Sequence, residues 1–505
     1  MEDLAMKRNL LALVLALVMA LGMTAAFAES APEWMPAWDR EADVVVVGFG
    51  PAGAAAAKAA LENGSTALVV EKCSKEWAGG SAPTSMGFIK PYTAEDIYSS
   101  AAGRLSMEAA QKLLDTENKM LDWMYANGLK VENSTSVGYG RGFYDALVRG
   151  SEAAGIEVLY ETPAVKLIAD PQTKEVYGVQ CQKADGSDFF VRANKGVVLA
   201  TGGYVANKDL MSRFHFAELP DYANAGAPTQ TGDGLIMAMD LGAALDGVSN
   251  QQIEWYGVAY KKASDEMGTA ILHLGLDMGP DSRIFVNANG ERFMDEEMYL
   301  VHTKEQLPFF SYNGTFPVYG GYRNLPMYVI FDQAMFEGGS VGPRDYYCSY
   351  ASMYGIYNWS EDNAAELEKG WLVKADTIDE LVEKLSEQSG NDPINVENLK
   401  KTIETYNASC EAGEDAAFGR SPFFLDPIGE GPYYAAQIVP AAVYTIGGLS
   451  GTEEGATLDW HGNPIPRLYH AGDVGQPTKI LIQALQGALA TGDIAGTAVS
   501  QLESH

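Results

Sequence analysis

The run Asp43-Val-Val-Val-Val47 and the Gly48-Phe-Gly50-Pro-Ala-Gly53 that follows it constrain this chain more than any other feature. Four consecutive valines read as a short buried β-strand, and the alanine-rich stretch from Ala52 to about Asn63 reads as a helix. Between them, glycines spaced G-x-G-x-x-G allow a tight turn and let a pyrophosphate come close to a helix N-terminus. A second apolar run, Ala67-Leu-Val-Val70, ends in Glu71, 18 residues past the last glycine. An acid there is placed to accept hydrogen bonds from an adenosine ribose. The expected fold is α/β with a Rossmann-like nucleotide-binding domain. Its expected first contacts are Gly48, Gly50, Pro51, Ala52, Gly53, Glu71 and Lys72.

Two later stretches say which dinucleotide. Val197-Val-Leu-Ala-Thr-Gly-Gly203 is a strand running into a glycine turn, and it adds Ala200, Thr201 and Gly202. Arg467-Leu-Tyr-His-Ala-Gly-Asp473 is another, placing Gly472 and Asp473 to meet a ribityl or phosphate group. A nicotinamide enzyme needs only the first element; all three together describe an extended, non-covalently held FAD.

The formal charge of −32, from 67 acids against 35 bases, argues against nucleic acid or an anionic membrane surface as partner. The N-terminus carries Lys7 and Arg8, an apolar run from Asn9 to Ala20, and the small-x-small site Ala26-Phe27-Ala28. Such an order marks an export signal over residues 1–28, cleaved after Ala28, with translation starting at Met1 or Met6. An uncleaved anchor helix is the alternative. Export places the protein in the periplasm, at the cell surface or outside the cell. Cys73, Cys181, Cys348 and Cys410 form no C-x-x-C and no C-x-x-C-H, so neither a metal site nor attached haem is expected.

The segments Gly79-Gly-Ser81, Thr231-Gly-Asp-Gly234, Gly290-Glu-Arg-Phe293 and Thr445-Ile-Gly-Gly-Leu449 resemble the fumarate reductase/succinate dehydrogenase flavoprotein family. Tyr406-Asn407, Phe418-Gly-Arg420 and Gly492-Asp-Ile-Ala-Gly496 share the resemblance, which runs from about Ala42 to Val499. It implies an FAD domain in two segments, 41–248 and 444–503, with an inserted α+β cap (substrate) domain at 249–443. It implies further cofactor contacts at Gly79, Gly80, Ser81 and Asp233, and at Gln483, Ala484 and Leu485 before the last helix. Only about a dozen residues separate Ala28 from the first strand, leaving no room there for an FMN-binding or haem segment. Electrons are then expected from a separate donor protein, a cytochrome or FMN-binding protein associated with the membrane.

In fumarate reductases of this family an arginine protonates the substrate, a glutamate–arginine relay feeds it, and histidines with another arginine hold two carboxylates. Here the acid position falls on Leu300 beside Tyr299, the relay on Leu276 and Gly279, one histidine on Tyr444 and the last arginine on Lys479. The remaining histidine falls near Glu254. Loss of the arginine fork removes bidentate carboxylate recognition, so fumarate is not the expected substrate. Tyr444, against the Gly447-Gly448 turn, is expected to hydrogen-bond a carbonyl, unless it only fills the vacated histidine space. Tyr299 and His302 are candidate acids, and Glu254, Lys479 and Gly448 candidate substrate contacts. Between Tyr299 and Trp359, 16 of 61 residues are aromatic, against 52 of 505 overall. Such a cluster is ordinarily core, with a wall for a planar ligand as the alternative.

The leading expectation is therefore an exported FAD-dependent reductase of an activated C=C bond, in a small planar enone or aryl enoate. A dehydrogenase of a ketone-bearing ring, ketosteroid-like, is a second reading. A non-catalytic flavin electron carrier is a third.

Overall fold

The computed structural model describes residues 32–101, 105–214, 222–248, 253–272, 281–297, 324–344, 350–475 and 484–505, with 253–257 as backbone. Strand β1 (Arg40–Val47) leads through the glycine turn into helix α1 (Pro51–Glu62) and on to β2 (Ala67–Val70). Strand β2 lies parallel to β1 on one side, and β3 (Asp188–Leu199) lies parallel to it on the other. The late strand Pro464–His470 joins β3 in parallel, so the first sheet gathers both ends of the described chain. After a register shift between Ala42 and Val44, its period-2 alternation is clean. Val44, Val46, Val69 and Val198 face a helical layer, while Val45, Val47, Leu68, Val70, Val197 and Leu199 face the other core.

The helical layer is close-packed because its residues are small. A Cβ on Gly492 would lie 2.1 Å from the Ala52 carbonyl oxygen, and one on Gly496 2.2 Å from that of Ala56. Two glycines four apart thus bring the C-terminal helix Ala484–Ser500 backbone-to-backbone against α1. Helix α2 (Met107–Ala126) flanks them, capped by Ser106, whose hydroxyl accepts the Ala109 N–H.

The second sheet comes from the middle of the chain. Its strands β4 (Ile253–Tyr260) and β5 (Met327–Asp332) flank the long β6 (Tyr433–Thr445), all antiparallel. One face, with Ile284, Tyr328 and Ile330, packs under the helices Ile378–Ser389 and Val396–Ala412 through Leu381, Leu385, Leu399 and Ile403. The opposite face, with Phe285, Val329, Phe331 and Ile438, shares one continuous core with the first sheet. The architecture is thus the expected Rossmann-like sheet with an α+β insertion. Strand β6 runs unbroken across residues 443 and 444. Among the described residues no helix is long and apolar enough to cross a membrane.

Of the described aromatics between 299 and 359, Tyr328, Phe331, Tyr350 and Trp359 are buried, Phe336 and Tyr357 pack on the core from its edge, and Tyr354 stacks on Trp77. Trp359 lies against Tyr260 and Trp371, and Phe331 and Phe336 stack on Tyr434. None of them lines the cleft described next.

Candidate active site

At the carboxyl ends of β1, β2 and β3 lies a cleft of about 1640 Å³ of atom-free space, counted to its open mouth. Its lining comes from the ends of three strands and from the segments 79–88, 443–444, 471–473 and 484–488, a spread that suits an extended ligand. The turn at its floor is dictated by sterics. Gly48 has φ +101°, and a Cβ there would meet the Ala200 carbonyl oxygen at 2.6 Å. A Cβ on Gly53 would overlap the Gly48 carbonyl oxygen at 1.9 Å. Gly50 is different: the nearest protein atom to its would-be Cβ is the Gly79 oxygen, 3.7 Å away. The protein tolerates a side chain there, so what Gly50 leaves open is space for the ligand. Helix α1 begins at this point with Pro51, without a side-chain cap or an acid in its first turn. Its N-terminal N–H groups and dipole are thus available to a pyrophosphate.

Around the floor the expected residues converge. Gly48, Gly50, Pro51, Ala52, Glu71, Lys72, Gly79, Gly80 and Ser81 line the cleft. So do Ala200, Thr201, Gly202, Asp233, Gly472, Asp473, Ala484 and Leu485, whereas Gly53 sits behind the turn. Glu71 already receives the Phe49 N–H on Oε2 at 2.7 Å and the Cys73 N–H on Oε1 at 2.8 Å. It therefore braces the turn as well as facing the ribose position, since each carboxylate oxygen keeps a second lone pair. Lys72 Nζ lies 2.6 Å from Asp233 Oδ2 and 2.8 Å from Thr231 Oγ1, tying the end of β2 to the helix Asp233–Asp240. Ser81 Oγ accepts from the Ala227 N–H and from Gln230 Nε2, a wall residue that no motif singles out. Burial, with the Glu71 carboxylate close by, pushes the Cys73 thiol to about 12, so it stays protonated. Among the described residues no cluster of three or more His, Cys, Asp or Glu is arranged to hold a metal.

The other end of the cleft is apolar and carries Met86, Phe88, Val443 and Tyr444. Tyr444, the penultimate residue of β6, is half-buried there and stands in register opposite Glu254 of β4. Gly448 is not in the wall. A Cβ on it would meet the Val474 carbonyl oxygen at 2.3 Å, so its small size serves packing, as does that of Gly447 against Gly247. Tyr299, His302, Lys479 and Gln483 lie outside the described residues, as does the side chain of Glu254. Phe88 is the wall residue that motif reading misses most completely. It is a single aromatic in a loop, with no periodicity to mark it.

A family model described as an FAD binding domain matches residues 123–478, and one described as an FAD dependent oxidoreductase matches 43–202. Vinyl phenol reductase of Lactiplantibacillus plantarum is 27% identical over 474 residues, covering 85% of this chain and 89% of that protein. The 3-oxosteroid 1-dehydrogenase of Mycolicibacterium smegmatis is 30% identical over 365 residues, covering 69% of this chain. The match spans 59% of that relative's length. Among solved structures, the open conformation of a flavocytochrome c3 fumarate reductase aligns with TM-score 0.66 at 22% identity, covering 94% of this chain and 84% of that one.

Proposed function

The chain belongs to the FAD-binding fumarate reductase/succinate dehydrogenase flavoprotein family, and from that premise we propose that it reduces a C=C bond conjugated to an aryl ring or ketone. The observation that carries this reading is that Tyr444 lines the cofactor cleft with Met86, Phe88 and Val443, at a position where, by the sequence resemblance, fumarate reductases carry a carboxylate-holding histidine. The similarity to a vinyl phenol reductase along most of both chains supports it.

Bound in the cleft, FAD would supply the hydride for the electron-poor carbon of the alkene. The rest falls to the protein. Gly50 and the first turn of α1 would hold the pyrophosphate, and Glu71 would accept from the ribose. Lys72 and Asp233 hold the cleft wall in place by their mutual ion pair. The Tyr444 hydroxyl hydrogen-bonds the conjugating group, or protonates the carbon next to the one that takes hydride. The apolar surroundings of the half-buried Met86 and Val443 limit water around that proton. The proposal includes export by the leader at 1–28, a region outside the described residues, and electrons from a separate donor protein. The 30% identity to a 3-oxosteroid 1-dehydrogenase favours a second reading, removal of hydrogen from a ketone-bearing ring.

Anaerobic reoxidation of chemically reduced holoprotein decides between them. Rapid return of the oxidised flavin band with hydroxycinnamates or enones, and none with fumarate, is expected. Fast reoxidation by fumarate contradicts the reading. Flavin reduction by a saturated 3-ketosteroid, without reoxidation by alkenes, supports the dehydrogenase instead.

A further inference from the structure

Phe88 is an apolar side chain in the cleft wall, yet 41% of it is exposed. The segment that carries it is fastened on both sides. Gly87 O accepts the Ser136 N–H at 2.8 Å, and the buried Ile89 donates its N–H to Ser134 O at 2.9 Å. Phe88 itself makes a bridge with Thr135. Lys90 donates its N–H to Gln486 Oε1 at 3.0 Å, and Gln486 Nε2 donates back to Lys90 O at 3.1 Å. Gln486 is buried on the C-terminal helix, so this reciprocal pair fixes the ledge to the element beside the cofactor.

The Lys90 ammonium stands 4.9 Å from the centre of the Phe88 ring. It is exposed, and no carboxylate pairs with it among the described residues, in a chain with 67 acids. Lys72, in the cleft wall, is neutralised by Asp233. Met86, two residues before Phe88, packs on the same alanine cluster as Val443, the neighbour of Tyr444, and Met86, Phe88, Val443 and Tyr444 all line the cleft.

We infer that Phe88 and Lys90 form a recognition ledge for an arene that carries one carboxylate. The ring stacks on Phe88, the carboxylate meets the Lys90 ammonium, and the conjugated double bond lies toward Tyr444. This rests on the reductase reading and sharpens it: the substrate class becomes the aryl enoate rather than the neutral enone. A rigid, solvated aromatic face is covered by a flat ligand at little ordering cost. A cation 4.9 Å from the ring centre selects the anionic members of that class.

The test is equilibrium binding to the oxidised holoprotein, followed by perturbation of the flavin absorbance, with 4-hydroxycinnamate and its uncharged amide as probes. Lys90→Gln is expected to weaken 4-hydroxycinnamate about fivefold, as for a partly exposed ion pair, and to leave the amide unchanged. Phe88→Leu, which keeps the apolar volume but removes the aromatic face, is expected to weaken both ligands about fivefold. Flavin content and melting midpoint establish that each variant is folded. Unchanged affinity in either variant, or no binding of 4-hydroxycinnamate by the wild type, overturns the ledge. Binding with these effects but no reoxidation of reduced flavin upholds the ledge and overturns the reductase reading.

Discussion

The two ends of the cleft are made of different material. The nucleotide end is backbone: glycine turns, a bare helix N-terminus and strand ends, held where a single added Cβ would collide with a carbonyl oxygen. The far end is side chain: Phe88, Met86, Val443 and Tyr444. Backbone geometry admits one solution and recognises what every dinucleotide shares. A wall of side chains can be exchanged residue by residue without disturbing the fold, so that end is where substrate choice resides.

Substitution at the glycines attacks this contrast with the largest effect. Gly53→Ala places a methyl 1.9 Å from the Gly48 oxygen, and neither bound flavin nor a cooperative melt is expected. Gly50→Ala, with 3.7 Å of room, should leave the melting of the apoprotein unchanged while FAD affinity falls about a hundredfold, or ~2.7 kcal/mol. If both variants behave alike, the separation of protein-required from ligand-required glycines is wrong.

A second effect comes from behind the nucleotide end, where Glu117 of α2 is 1% exposed and both its oxygens lack a partner among the described residues. Burial raises its pKa from the ordinary 4.5 to about 8. The unfolded chain then releases this proton near 4.5 while the folded protein keeps it to about 8, so stability falls across that window and levels off above it. Glu117→Gln is expected to abolish a pH-dependent loss on the order of a few kcal/mol, read as melting midpoints at pH 5 and 8.5.

At the side-chain end, Tyr444→Phe should lower kcat about a hundredfold with FAD affinity unchanged. A fall in FAD affinity instead would make Tyr444 part of the cofactor site. The smallest effect is expected at Lys72→Met. Its ion pair is about one third exposed, so FAD affinity should drop only about fivefold, and less at high salt.

How much was legible in the sequence follows the same division. Gly48, Gly50, Gly53 and Glu71 could be read directly because a tight turn between strand and helix permits few residue types. Glu71 carries more than its spacing reveals: it also holds the Phe49 and Cys73 N–H groups, a consequence of how the chain turns after β2. Tyr444 was visible only through resemblance, since one tyrosine near the end of a strand has no pattern of its own. The packing role of Gly448 against Val474 was not legible, because a glycine spared for packing and one spared for a ligand look identical as letters. Phe88, Lys90 and Gln230 were invisible. They come from short loops whose neighbours in space, Gln486 and Ser81 among them, are distant in sequence.

The long strand Tyr433–Thr445 acts as a ruler with Tyr444 at its tip. Its pairing with both β4 and β5 sets where that tip stops, and side chains alternate faces along it. Losing or gaining one residue within the paired stretch would turn the phenol to the opposite face of the sheet and disarm the site without unfolding anything. Length variation in descendants of this chain is therefore admissible in the connecting loops and barred from this strand, however permissive its individual side chains are.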